Sequence, residues 1–198
     1  MNKNDHLKKT IYLLFVFATI TTNLIAQEKD SLIIPKSADG LAEYSEIIPI
    51  DSVSNSDLYL FGLEWVSKKY KSGKSVIQTT DKEGGIIIGK AVTHTLVYNN
   101  MGIKKDGGYF SYTISIYCKD NKYKYVIDNI TYNKGEMVLT PGADLAETFP
   151  HNWTGFIGNN KQTRREWQSF QRQADTEFQI IIEDLKKHMK NSKKKSEW

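Results

Sequence analysis

Between Tyr109 and Tyr132 the chain alternates apolar and polar residues on either side of Asp120-Asn121, and few folds accommodate that pattern. With those two residues as the turn, Lys119 faces Lys122, Cys118 faces Tyr123, Ile116 faces Tyr125 and Ile114 faces Ile127. That register gathers Ile114, Ile116, Cys118, Tyr123, Tyr125 and Ile127 on one side of a hairpin. The other side collects Thr113, Ser115, Tyr117, Lys124 and Asp128. One greasy and one wet face point to an antiparallel sheet covered on a single side. A slip of one residue would turn the greasy set to water, so the pattern itself specifies the register.

Two helices are available as the cover. From about Lys161 to Met189 the apolar residues Trp167, Phe170, Ala174, Phe178, Ile181, Leu185 and Met189 recur at steps of three and four, the width of a core-facing stripe. A shorter helix starts after Ser54, whose Asp57 three residues on resembles a capping box. It presents Leu58, Phe61, Trp65 and Val66, and Gly73 fits its C-cap. Tyr44 to Ile50 reads as a first strand. Val76 to Thr80 and Ile86 to Tyr98 read as two more, joined at Glu83-Gly84-Gly85, and Asn99 to Gly108 reads as a polar, Gly-rich connection. Residues 134–158 form a long connection whose Leu145, Phe149, Trp153 and Phe156 suit a loop that packs down. The order β-α-β-β-β-β-α makes a two-layer α+β domain with both helices on one sheet face.

The first residues carry a different message. Lys3, Lys8 and Lys9 precede an apolar run from Ile11 to Ile25 and then Ala26, the layout of a signal peptide over residues 1–26. The run is short and dotted with Thr19, Thr21, Thr22 and Asn23, which favours cleavage; an uncleaved anchor is the alternative. Removing three Lys and one Asp with that segment lowers the formal charge from +4 to +2, and nothing in so mild a balance calls for a nucleic-acid partner. The sole cysteine, Cys118, precludes an intramolecular disulfide, so stability rests on packing. Residues 27–42 read as a flexible linker, 43–190 as one domain and 191–198 as a basic disordered tail.

The stretch from Tyr112 to Tyr132 resembles the central hairpin of a family of exported bacterial domains of unknown function with a TBP-like fold, common in Bacteroidetes. The helix from Leu58 to Tyr70 with Trp65 is similar too, as is Gln78 to Lys90, with its Asp81-Lys82-Glu83 turn followed by a Gly89-Lys90 strand. The resemblance spans Tyr44 to Tyr132 closely and the last helix loosely. It implies a helix-covered, strongly curved antiparallel sheet and brings no catalytic residues. The nucleic-acid binding of the fold's namesake does not travel with the fold.

Chemistry-bearing residues are sparse. Asp81 and Glu83 lack the downstream acidic ligand of a calcium loop and read as a solvated hairpin tip. Asp144, Glu147 and His151, with the distant His94, are the candidates if a metal or acid/base site exists, although their spacing fits no ligand motif. Cys118 lies on the greasy face and reads as an inert thiol. Gly84-Gly85 and Gly107-Gly108 match no phosphate loop, and no cofactor motif is present. Arg164, Arg165, Arg172 and the lysines from Lys186 to Lys195 read as a solvated helix face and tail. The expectation is an exported, periplasmic or extracellular non-enzymatic module that binds a protein or envelope partner through the open sheet face or the 134–158 loop. It would have no transmembrane segment after cleavage. An enzyme assembled from distant residues and a structural envelope component are the alternatives.

Overall fold

The computed structural model describes residues 32–70, 76–98, 101–134, 142–148 and 161–196, with side chains as far as Lys193. Residues 1–26, read above as a signal peptide, Gly73, His151 and the aromatic residues from Phe149 to Phe156 lie outside the described residues. Residues 34–198 form one unit and 1–33 another. Only Leu32 and Ile33 of the latter are described, both without regular structure.

The elements in chain order are β1 (Tyr44–Pro49), α1 (Asn55–Lys69), β2 (Ile77–Asp81), β3 (Ile86–Tyr98), β4 (Lys104–Lys119), β5 (Lys122–Asn133), β6 (Ala143–Asp144) and α2 (Lys161–Ser196). The strands form one antiparallel sheet in the order β1-β5-β4-β3-β2, with the short β6 paired to β5 beyond the end of β1. The hairpin pairs as its alternation requires, Lys119 with Lys122, Cys118 with Tyr123, Ile116 with Tyr125 and Ile114 with Ile127. Asn121 takes the left-handed conformation at φ 64, which Asn tolerates better than most residues.

That turn also seats α1. Asp120 accepts the Asn55 backbone N–H at 2.8 Å, and the Asn121 N–H donates to the Val53 carbonyl at 2.9 Å. Ser54 caps the helix, its Oγ accepting the Asp57 N–H at 3.1 Å and donating to the Asp57 carboxylate at 2.7 Å. The hairpin tip and the helix start therefore satisfy each other's free backbone groups.

Both helices lie on the greasy face. In α2, all seven residues of the apolar stripe, from Trp167 to Met189, are buried. Phe178 sits between Tyr44 of β1 and Tyr112 of β4, with ring centroids 5.3 and 5.1 Å away. Trp167 meets Phe110 and Tyr132, and Phe170 stacks on Tyr132. In α1, Leu58, Trp65 and Val66 are buried as the spacing predicts, together with Tyr59 and Gly62, while Phe61 is only half-buried. Gly62 lets the helix approach the sheet, since a Cβ there would stand 3.1 Å from Ile87 Cδ1. The two helices are tied by the Trp65 indole N–H, which donates to Asp184 at 2.9 Å.

Four expectations need correction. The 99–108 connection is shorter than read, because β4 already begins at Lys104 and pairs there with Tyr98. It does so through a bulge that leaves Gly107 as an extra residue between the Thr95–Gly108 and Leu96–Asp106 pairs; Gly108, at φ 95, has no room for a Cβ against the Asn133 carbonyl. The described part of the 27–42 segment is not a loose linker. Ile34 and Ala42 are buried, Lys36 bridges Ala42, and the Ala42 N–H donates to Asp144 at 3.0 Å. The tail is helical to Ser196, because the stripe continues past Met189 to a buried Ser192, and Lys193 donates to the Asp51 carbonyl at 2.7 Å. Finally, β6 adds a strand that the sequence pattern does not announce.

Phe178→Ala removes the ring that joins α2 to β1 and β4, and is expected to cost about 3–5 kcal/mol, whereas the exposed Ile180→Ala should stay within about 0.5 kcal/mol of wild type. Ending the chain at Asn191 removes the Ser192 and Lys193 contacts and is expected to cost about 1 kcal/mol. Denaturant unfolding of the three variants checks all of these; a Phe178→Ala protein as stable as wild type would contradict the packing described.

Candidate functional site

The acidic candidates in the 142–148 segment are occupied with backbone. Asp144 Oδ1 accepts N–H groups from Ala42 and Ala146 at 3.0 and 2.7 Å, and Glu147 Oε1 accepts the Asp144 N–H at 3.0 Å. The segment is held from the other side by α2. The buried Gln171 amide donates to the Leu145 and Glu147 carbonyls, at 2.7 and 2.9 Å, and the Trp167 indole N–H donates to the Glu147 carbonyl at 2.8 Å. The 142–148 segment therefore packs down through hydrogen bonds to helix side chains. Its carboxylates serve as turn acceptors, each with one oxygen engaged by backbone N–H groups.

His94 stands elsewhere. It lies on β3 opposite Tyr109, while Asp144 pairs with Thr131 of β5 from the far side. Three strand spacings separate them, roughly 14 Å, so the structure does not bring His94 together with Asp144 and Glu147. His151 lies outside the described residues. Among the described residues no group of three His, Cys, Asp or Glu side chains is placed to hold a metal ion.

His94 does border a cleft of about 370 Å³ between β3 and α2, with Arg172 and Glu177 on its helix wall. At this edge Gln173 plays the part of a missing strand. The Leu96 N–H donates to Gln173 Oε1 at 2.9 Å, and Gln173 Nε2 donates back to the Leu96 carbonyl at 3.1 Å. The paired bonds seal the β3 edge against another strand.

Several other charged groups are engaged in the fold. Lys186 of α2 pairs with Glu46 of β1 at 2.9 Å, and Tyr125 donates to the same carboxylate at 3.1 Å. The hydrogen bond from Lys186 holds the Glu46 carboxyl below the usual range and raises the ammonium in turn. Tyr44 donates to Asp175 at 2.7 Å. Asp81 accepts the Gly84 N–H at 2.9 Å, the hydrogen bond of a hairpin tip.

The uncovered sheet face is the remaining large surface. Alternation places Ile47 of β1, Tyr117 and Lys119 of β4, and Lys122, Lys124 and Val126 of β5 on it, where they line a shallow groove of about 450 Å³. Ile47 is 61% exposed and Tyr117 37%, and farther along the face Val92 of β3 is 50% exposed. Reading the hairpin strand by strand places Tyr117 and Lys124 on the wet side but leaves out Ile47. The β1–β5 register, with Ile47 opposite Lys124, brings it in.

A six-stranded antiparallel sheet with two helices on one face and the other face open and curved defines an α+β protein of TBP-like fold. Residues 44–133 match the family described as Domain of unknown function (DUF4468) with TBP-like fold, the same family that the hairpin and the Asp81-Lys82-Glu83 turn resemble. A DUF4468 family protein from Bacteroides ovatus superposes with a TM-score of 0.60 at 16% identity, over 79% of this chain and 90% of its own. A TBP-like protein from Parabacteroides distasonis superposes with a TM-score of 0.51, also at 16% identity, over 77% of this chain and 97% of its own. At that identity the likeness concerns the fold alone. No curated protein matches the sequence.

Buried hydroxyls and the thiol set the alkaline behaviour. Burial pushes the Cys118 thiol up from 9.0 to about 12, and burial likewise raises the Tyr112 and Tyr125 hydroxyls from 10.0 to about 12. Groups whose folded pKa is raised contribute their full stability below the unfolded pKa and lose it as pH climbs to the folded one. Stability should therefore hold up to about pH 9 and fall between about pH 9 and 12, and Cys118 should react with a thiol reagent far more slowly in the native protein than in denaturant. Unfolding followed across that range, with thiol labelling alongside, checks both; a native labelling rate equal to the denatured rate would overturn the burial of Cys118.

Proposed function

We propose that this chain is an exported, non-enzymatic binding module that engages a protein partner of the cell envelope through its open sheet face. The observation that carries this reading is the asymmetry of the sheet. Its greasy face is filled by α1 and α2, whereas the opposite face presents Ile47, Val92 and Tyr117 to solvent. Ile47 and Tyr117 stand together about Lys124, and neighbouring exposed apolar side chains on a free sheet face suit an interaction surface. Export is supported by the order of Lys3, Lys8 and Lys9, the apolar run and Ala26, and no helix among the described residues is long and apolar enough to cross a membrane. The absence of catalysis from the proposal rests on the structural employment of Asp144 and Glu147 and on their separation from His94.

The test immobilises the protein from Gln27 onward, as wild type, as Ile47→Asp/Tyr117→Asp and as His94→Ala, and compares the envelope proteins each retains. Ile47 and Tyr117 are partly exposed, so the double variant should melt close to wild type. Retention by wild type and His94→Ala, lost in the double variant, is the expected result. Equal retention by all three would contradict an open-face site.

A further inference from the structure

The groove at the β4–β5 end of the open face carries an arrangement that the fold itself does not need. Lys119 and Lys122 stand directly opposite one another, and Lys124 follows Lys122 on the same face, opposite Tyr117. Like charges directly across a ladder oppose pairing. All three lysines are exposed, and none joins the ion pairs formed among the described residues. Of the carboxylates on the adjoining elements, Asp120 accepts the Asn55 N–H, Glu46, on the helix side of β1, is paired with Lys186 and Tyr125, and Asp128 follows Val126 farther along the same face of β5. Ile47 and Tyr117 flank Lys124 on the neighbouring strands, and Val126 follows it on β5 as a buried apolar lining of the groove.

We infer that this groove docks an extended acidic peptide segment of a protein partner, with the pattern Glu-x-Glu-x-apolar. This rests on the open-face reading above and adds the chemistry of the partner. In an extended chain, side chains two residues apart point the same way and lie about 7 Å apart. Lys122, Lys124 and Val126 follow one another on β5 at that same step, as two cations and then an apolar residue. A peptide laid along β5 thus sets two carboxylates against Lys122 and Lys124, with Lys119 bordering the first. Its apolar side chain falls over Val126, one step beyond Lys124 and beside the Ile47 and Tyr117 side chains that flank that lysine. A polynucleotide would ask for several aromatic side chains on which to stack bases. Tyr117 is the one exposed aromatic among the groove's lining residues. A flat anionic lipid surface would match the charge but not the spacing.

The experiment measures fluorescence anisotropy with three probes: a labelled peptide Ser-Glu-Ser-Glu-Ser-Leu-Ser, its isomer Ser-Glu-Glu-Ser-Ser-Leu-Ser, and vesicles of phosphatidylglycerol in phosphatidylcholine. The alternating peptide is expected to bind about five to ten times more tightly than its isomer. Binding should weaken about tenfold in Lys122→Ala/Lys124→Ala and decline as salt is raised. Lys90→Ala, on β3 of the same face but outside the groove, serves as a control lysine and should bind like wild type. Equal binding of the two peptides, binding of vesicles in preference to peptide, or no binding of either peptide would overturn the inference. If envelope proteins are still lost with Ile47→Asp/Tyr117→Asp in that case, the open-face reading stands and only the acidic partner falls; if they are not, both fall.

Discussion

Everything in this molecule depends on the apolar stripe of α2 lying across the greasy face of the β4–β5 hairpin. Trp167, Phe170, Phe178, Ile181 and Leu185 meet Phe110, Tyr112, Tyr132 and their neighbours in one continuous aromatic and aliphatic layer. Burying each large side chain contributes about 2–3 kcal/mol, and no disulfide supplements that. The directional bonds at the border of the layer then fix where α2 sits: Trp65 to Asp184, Tyr44 to Asp175, Gln173 to Leu96 and Gln171 to the 142–148 carbonyls. Each joins α2 to a different element. Non-directional burial holds the layers together, and these bonds select one orientation.

The same arrangement explains why His94 and the acidic residues most suggestive of chemistry are not brought together. Asp144 and Glu147 sit where a short strand reverses beside the sheet edge, and a reversal leaves backbone N–H groups without ladder partners. The carboxylates accept those N–H groups, and one of them also anchors the entry to β1 through Ala42. His94 lies on the other side of β4 and β5. A cluster close in sequence is thus used as a clasp, while the side chains that share a surface, Ile47 with Tyr117 and Lys124, come from strands far apart in the chain.

The hairpin register, the α2 stripe and the Ser54 cap were legible in the sequence because each is a local periodic or capping signal. Legibility ended where the period breaks. At Asn129, with φ 50, a bulge sets Asn129 and Ile130 against Tyr112 alone, so that the buried set passes from Ile127 to Ile130 and Tyr132. The step of three between Ile127 and Ile130 was the signal. Gly107 makes a second bulge inside what reads as a polar connection, and a glycine pair there suggests a loop as readily as a strand. The docking of Ile34 and Ala42 was hidden for another reason. Two apolar residues in a polar stretch carry no period, and their burial depends on Asp144, about a hundred residues away. The open-face groove was half legible, since Tyr117 and Lys124 follow from the hairpin alone but Ile47 needs the β1–β5 pairing.

The central claim is a sheet with one filled and one free face, and hydroxyl-radical footprinting of the native protein tests it most directly. Tyr117 and Tyr112 lie on the same strand, five residues apart, on opposite faces. The account requires Tyr117 to be oxidised readily while Tyr112, Phe178 and Tyr132 stay protected until the protein unfolds. Tyr117 as protected as Tyr112 would mean that something already covers the open face, and Phe178 as reactive as Tyr117 would mean that α2 does not cover the other.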